Sequence, residues 1–436
     1  MHHAREAKIT SPIISLKDSY AKLIPMCFIV GLVGLAGGAV LLGLGPSRIS
    51  FSYLTSFCFL LTICLGCLFF VTVMHLTRAG WCVTVRRIAE LYAACTFPML
   101  ILFLPILIPV LLGMDLVYPW LVDGWSLIET SPEDKANILA ATKDLPPLEE
   151  LKNAYLNNGF FGIRTVIYFG VWGLMSWFFL RNSLAQDKSG DKKISLRLQG
   201  FSAPLMILFA ATLVFSSFDY EMTLAPLWFS TMFPVYIFAG AFLGGLATIT
   251  LTGLVLQNSG RVTDEITVEH YHDLAKLMFA FIFFWGYIAF SQFLLIWYAN
   301  IPEETFWFAW RINSLPGQEG SWSGWQFMSI ALLFGHLFIP FLGMMARTVR
   351  RNKTYLFYAS IYILAIHWLD HYWIVMPQAL EHNAFTFSGL HILGDLAIAA
   401  GLIGLFMAIF LLIVRDKPLV PLQDPRLGES LNHHNP

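Results

Sequence analysis

Residues 269–304 read EHYHDLAKLMFAFIFFWGYIAFSQFLLIWYANIPEE. Two histidines, an aspartate and a lysine lead into a long apolar run that closes on Asn300, Pro302 and two glutamates. A helix rises about 1.5 Å per residue, so roughly 20 mainly apolar residues cross the ~30 Å hydrocarbon core of a bilayer. The stretch has that length, and it sets ionisable groups at the mouth of a spanning helix.

The rest of the chain is of the same kind. Of 436 residues, 57% are hydrophobic and 13% charged, 38 are Phe, and the mean hydropathy is +0.65; a soluble domain averages about 25% charged residues. The expected class is an all-α integral membrane protein. A net charge of -1 with scattered basic residues gives no basis for nucleic-acid binding. The six cysteines, Cys27, Cys58, Cys64, Cys67, Cys82 and Cys95, fall in or beside apolar runs and read as small buried hydrophobes. Cys64 and Cys67 form a C-x-x-C, but no second thiol pair or nearby histidine completes a metal site.

Ten segments are long and apolar enough to span: about 23–44, 51–75, 90–114, 160–180, 201–218, 228–256, 274–298, 324–346, 355–376 and 388–414. This divides the chain into a tail (1–22), a ten-helix membrane domain (23–414) and a second tail (415–436). The first tail carries Arg5, Lys8, Asp18 and Pro12, and no cleaved signal peptide is expected. With the N-terminus in the cytoplasm, 20 of the 27 basic residues fall on the cytoplasmic side. Six fall opposite, Arg48, Lys135, Lys143, Lys152, Arg164 and Arg311, and Lys276 lies within a span. The asymmetry predicts two cytoplasmic termini. Carboxylates and tryptophans gather on the other side, in loop 115–158 (Asp115, Asp123, Glu129, Glu133, Asp134, Asp144, Glu149, Glu150) and loop 299–323 (Glu303, Glu304, Trp307, Trp310, Trp322). Such loops suit interfacial belts and docking surfaces.

Pro98, Pro105 and Pro109 are expected to kink the third span. The runs GLVGLAGGAVLLGLG and AGAFLGGLATITLTG, in the first and sixth spans, are read as close helix packing.

Ionisable residues within spans are functional candidates because each costs about 2.5–3.5 kcal/mol at the bilayer centre. Towards the predicted cytoplasm lie His75, Glu90, His272, Asp273 and Lys276, the last three on one helix face. The competing structural reading is an interfacial ion-pair network that includes Arg86 and Arg87. Towards the other side lie His336, His367, Asp370, His371, His391 and Asp395. The short connection between the ninth and tenth spans makes them antiparallel neighbours in this reading. Their polar residues are then expected to converge as one hydrated cluster, the alternative being satisfied structural hydrogen bonds. Asp219, flanked by Tyr220 and Glu221, is a possible contact for a quinone head group.

The segments GRVTDEITVEHYHDLAKLMFAFIFFWGYIAFSQFLLIWYANIPEET (260–305), LFGHLFIPFLGMMARTVRRNK (333–353) and PLVPLQDPRLGESL (418–431) resemble the membrane subunits of bacterial alternative complex III, of the polysulfide-reductase membrane-subunit (NrfD-like) family. HLTRAGWCVTVRRIAE (75–90), taken with DPRLGESL, looks more like the second such subunit than its quinol-binding sibling. The resemblance implies two four-helix bundles, helices 2–5 and 6–9, with helices 1 and 10 peripheral. It implies a bacterial cytoplasmic membrane and a quinol:electron-acceptor oxidoreductase. The sibling would bind quinol, and iron–sulfur and multihaem cytochrome c subunits would hold the clusters and c-type haem, leaving this chain with no cofactor of its own. Asp219 and His75 correspond in context to polar positions of the sibling.

The leading expectation is therefore a subunit without a redox centre that provides a proton path or energy coupling, with the ionisable residues above as its candidates. A quinol-binding subunit, a secondary transporter and a di-haem cytochrome b are the competing readings; no matched pair of interrupted helices supports the transporter.

Overall fold

The structure, a computed structural model, describes residues 22–122, 152–312, 324–380 and 388–435. Among them the chain is all helical, with no strand. Most of the first tail (1–21), the loop carboxylates from Asp123 to Glu150, and Trp322 lie outside the described residues.

Nine helices are long and apolar enough to cross a membrane among the described residues, so the chain is a multi-pass membrane protein. They are α1 (Leu23–Leu41), α2 (Pro46–Leu76), α3 (Val83–Leu111), α4 (Asn158–Ser189), α5 (Lys192–Leu224), α6 (Phe233–Asn258), α7 (Val268–Ala299), α8 (Gly324–Gly343) and, after α9, α10 (Gly389–Val414). The remaining expected span forms helix α9 (Lys353–Val375), 23 residues long. It is not among the nine because Lys353, Ser360, His367, Asp370, His371 and its tyrosines lower its apolar content.

Local chemistry explains the irregular helices. Proline supplies no N–H for the carbonyl four residues earlier. Pro98 thus stands opposite Ala94, and α3 is interrupted between Ala93 and Thr96. Pro340 stands opposite His336, and residues Leu333–Phe338 of α8 widen into a π-helical turn. Helix α7 begins with a capping box, in which the Thr267 and His270 side chains bond each other's backbone ends, and Glu269 adds negative charge to the first turn. At the α4–α5 hairpin, Gly190 adopts φ 64°, and the Asp191 side chain accepts from Lys193 N–H at 2.9 Å.

Helices α2 and α6 form the centre, their apolar stretches 89% and 83% buried against 11% for α1. They cross with backbones in contact: a Cβ on Gly66 would lie 1.9 Å from the Ala241 carbonyl oxygen, and one on Gly245 would lie 2.8 Å from the Gly66 carbonyl carbon. Around this pair pack α3, α5, α7 and α9, while α4 packs against α3 and α5. The peripheral pair α1 and α10 meets through facing glycines, so the small-residue run of the first span serves α10: a Cβ on Gly34 would lie 2.7 Å from Gly401 Cα.

The expectation that α9 and α10 are antiparallel neighbours is met at one end only. They meet where Tyr372 bonds Asp395, then diverge. An apolar groove of about 710 Å³ opens between Ile361–Trp368 of α9 and Leu396–Val414 of α10. The glycine face of α10 is committed to α1, which draws α10 away from α9.

The described part of loop 299–323 is helical and packed inward rather than a surface belt. Residues Pro302–Ile312 form a helix whose Trp307 is buried and stacked on Trp228, with ring centroids 4.4 Å apart. Arg311, counted above as a loop cation, is buried and donates to the carbonyls of Trp373 (3.1 Å) and Ile374 (2.8 Å) at the end of α9.

Replacing Gly34 by Leu should force backbone against backbone and lower stability by about 1–3 kcal/mol. Gly37, with nothing within 4 Å of its Cβ position, should tolerate Leu with little change. Thermal denaturation of the two purified variants checks the difference.

Candidate functional site

At the end of the bundle opposite the C-terminal segment, three helices and one helix terminus bring together a buried polar network. His371 Nδ1 lies 2.6 Å from Glu221 Oε1, just beyond the regular part of α5. His371 Nε2 and His367 Nε2 both reach the Thr62 hydroxyl of α2, at 3.1 and 3.0 Å. The His367 ring occupies space left by α6, where Cβ atoms on Gly240 and Gly244 would approach it to 3.0 and 2.9 Å. One turn of α9 separates His367 from His371, which places both imidazoles on the face turned towards α2 and α6.

Asp370 faces a different set of partners. It accepts from the Tyr236 hydroxyl of α6 and from Trp285 Nε1 of α7 at 3.1 Å. His336 Nδ1, carried by the π turn of α8, is 3.8 Å from the same oxygen that accepts from Trp285, and the His336 ring lies 3.8 Å from Trp285 and 6.4 Å from His367 between centroids. Both His336 nitrogens and His367 Nδ1 are buried without a hydrogen-bond partner. Buried polar atoms of this kind are the usual sites of internal water.

These contacts have a definite chemical content. An ionised carboxylate only accepts, so with Glu221 ionised Nδ1 of His371 carries the proton between them. Its Nε2 then accepts from Thr62 when the imidazole is neutral and donates to Thr62 when it is protonated. The Thr62 hydroxyl also lies 2.9 Å from the Phe59 carbonyl, so it links the two histidines as donor and acceptor when its single proton turns from that carbonyl to an imidazole.

The expected cluster is thus met by His367, Asp370 and His371, with His336 beside them, and not by Asp395. Asp395 is buried in an ion pair with Arg48 at 2.6 Å and accepts from the Tyr372 hydroxyl at 2.8 Å. This is a structural ion pair rather than a member of the cluster, and Arg48 belongs to the start of α2 rather than to a loop. His391 sits half-buried in the first turn of α10. Asp219 is likewise occupied: Arg164 grips both its oxygens at 2.7 and 2.9 Å, and Tyr168 donates at 2.7 Å. Those contacts leave the carboxylate enclosed, with the Arg164 guanidinium 3.8 Å from the Tyr155 ring.

At the other end, Glu90 is buried between Arg86 (3.1 Å) and Arg87 (2.9 Å), which also bind Asp424 and Asp187 at 2.6 Å each. The ion-pair network with Arg86 and Arg87 therefore exists, centred on Glu90. Asp273 bonds Lys276 and His433 at 2.5 Å each, and Lys276 reaches Asn435 at 3.0 Å. His270 bonds Ser430, which also contacts Thr84. The C-terminal segment therefore lies across the ends of α3 and α7. His272 is buried nearby, and neither ring nitrogen has a hydrogen-bond partner among the described residues. His75 stacks on Phe179 at the end of α2.

The residue missed from sequence is Glu221. It was read with Asp219 as one terminal acid group, and nothing local separates an acid that pairs with Arg164 from one that pairs with His371. Thr62, an ordinary helix residue in an apolar run, carried no signal at all. Among the described residues, no group of three or more His, Cys, Asp or Glu side chains is arranged to hold a metal ion. No protein-family model matches the chain, and no curated protein matches it.

Removing one partner of the buried Arg48–Asp395 pair strands the other, at a cost of about 3–5 kcal/mol. Arg48→Met alone should therefore lower the denaturation midpoint sharply, and Arg48→Met with Asp395→Leu should recover much of it. Denaturation of both variants and of Asp395→Leu alone in detergent checks this; a loss in the double variant equal to the sum of the two single losses would show that the pair is not coupled.

Proposed function

We propose that this chain is a membrane subunit of a quinol:electron-acceptor oxidoreductase of the alternative complex III type, with no redox centre of its own, that moves protons in step with quinol oxidation by its partners. The partners are an NrfD-like quinol-binding sibling and subunits bearing iron–sulfur clusters and c-type haem. The chain is the second of the two NrfD-like subunits, its helices 2–5 and 6–9 act as two four-helix bundles, and it resides in a bacterial cytoplasmic membrane with both termini inside.

One observation carries the proton reading: the enclosed series Glu221, His371, Thr62, His367, in which each step is within hydrogen-bond distance. A proton arriving on His371 leaves by way of the Thr62 hydroxyl, which gives its own proton to His367 and takes the one from His371. Glu221 holds the cationic intermediate. Asp370 and His336 continue the series beyond His367 through water. His272, Asp273 and Lys276 form the group nearest the opposite surface.

Thr62→Val keeps the shape and removes the hydroxyl. In the complex purified with its natural partners, this variant should retain assembly and quinol oxidation while protons moved per quinol fall severalfold. Asp273→Asn should act in the same direction from the other end. Full coupling in Thr62→Val would overturn the relay.

A second reading, quinol binding by this chain, is favoured by a cavity of about 640 Å³ between α6, α7, α8 and α9. Its wall includes Tyr236 and Trp285, the two donors to Asp370, and the buried Gln292. Labelling of this wall by a photoreactive quinone, blocked by unlabelled quinone, would select that reading. The orientation has its own check: a cysteine at position 192 should react with an impermeant reagent only from the cytoplasmic side.

A further inference from the structure

Where α2 ends, the described structure holds a cleft of about 350 Å³ between α2, α3, α5 and the C-terminal segment. Its wall contains four cationic side chains, Arg78, Arg86, Lys192 and Arg426, and two carboxylates, Asp424 and Glu429. Arg86 is engaged by Glu90 and Asp424, and Arg426 donates to the Arg78 carbonyl. The exposed Arg78 guanidinium and Lys192 ammonium enter no ion pair among the described residues.

His75 lines the same cleft. It is 7% exposed, its ring is held parallel to Phe179 at 5.4 Å, and its Nε2 is buried without a hydrogen-bond partner. A positive surplus around a fixed, unpartnered ring nitrogen suits an anion with several acceptor oxygens.

We infer that this cleft binds a phosphate group, with His75 Nε2 donating from its wall and Arg78 and Lys192 flanking it. The source is the headgroup of an anionic phospholipid. The cleft lies at the ends of membrane-spanning helices, where headgroups are found, and its rim includes Leu196 on the outer face of α5, 65% exposed. Phosphate would offset the surplus charge of Arg78, just after α2, and Lys192, at the start of α5, while the C-terminal segment is already held to α3 by the Asp424–Arg86 ion pair. The site is separate from the Glu221–His367 series and does not depend on the proton reading.

The test is native mass spectrometry of the purified protein in detergent, titrated with phosphatidylglycerol, phosphatidylcholine or inorganic phosphate. Each cation near an anionic lipid is worth about fivefold in binding. The natural protein should therefore retain phosphatidylglycerol at least tenfold better than phosphatidylcholine, and Arg78→Gln with Lys192→Gln should abolish most of that preference. His75→Phe keeps the stacking and should weaken retention severalfold. Both cations are exposed, so an unchanged melting temperature without lipid verifies that the double variant folds. Displacement of the lipid by millimolar inorganic phosphate would keep the anion site and overturn the headgroup as its source. Equal retention of phosphatidylglycerol by the natural protein and the double variant would overturn the site itself.

Discussion

The architecture depends on one close approach, the contact of α2 and α6 at Gly66 and Gly245. No side chain fits there, because a Cβ on either glycine would strike the other helix's backbone. Two central helices at this distance leave little room between them, and the small residues of α6 decide what occupies it. Gly245 admits the backbone of α2, while its neighbour Gly244 and Gly240, a turn before Gly244, admit the ring of His367. Thr62, one turn before Gly66, is thereby carried to the two histidines. The same short run thus provides both the packing of the bundle and the space for its polar centre.

Around that centre, the bundle answers the cost of buried charge by pairing. Arg48 with Asp395, Arg164 with Asp219, and Arg86 and Arg87 with Glu90, Asp187 and Asp424 are all enclosed, and each guanidinium meets a carboxylate at hydrogen-bond distance. Arginine is suited to these positions because its planar fork keeps its charge and satisfies a carboxylate directionally. The histidine network is of another kind. It contains neutral donors and acceptors that can exchange roles, and some of its nitrogens have no protein partner. Closed ion pairs fix the helices in place; open imidazoles leave the centre chemically adjustable.

Much of this was legible in the sequence, for a physical reason. An apolar stretch of membrane length states its own secondary structure, so the spans emerged from their runs, and His367 with His371 from helical spacing alone. Pairings between distant segments are a different matter. Arg48 and Asp395 are 347 residues apart, and Arg164 and Asp219 are 55 apart; spacing within one helix says nothing about either. That is why Asp395 was grouped with α9 on connectivity, whereas the glycine face of α10 had committed it to α1. The π turn around His336 was foreshadowed by Pro340, but the direction in which the widened turn points the ring is set by Trp285 on another helix.

The C-terminal segment has a consequence for how the protein is made. Its Asp424, Ser430, His433 and Asn435 complete polar groups on α3 and α7, yet they are synthesised only after α10. Throughout insertion, Arg86, His270 and Asp273 must wait at the membrane surface with only water and the local partners Glu90, Thr267 and Lys276. The stretch made after α10 is therefore the one that closes this end, and a nascent chain stalled before it would present an unsealed, charged surface to quality-control proteases.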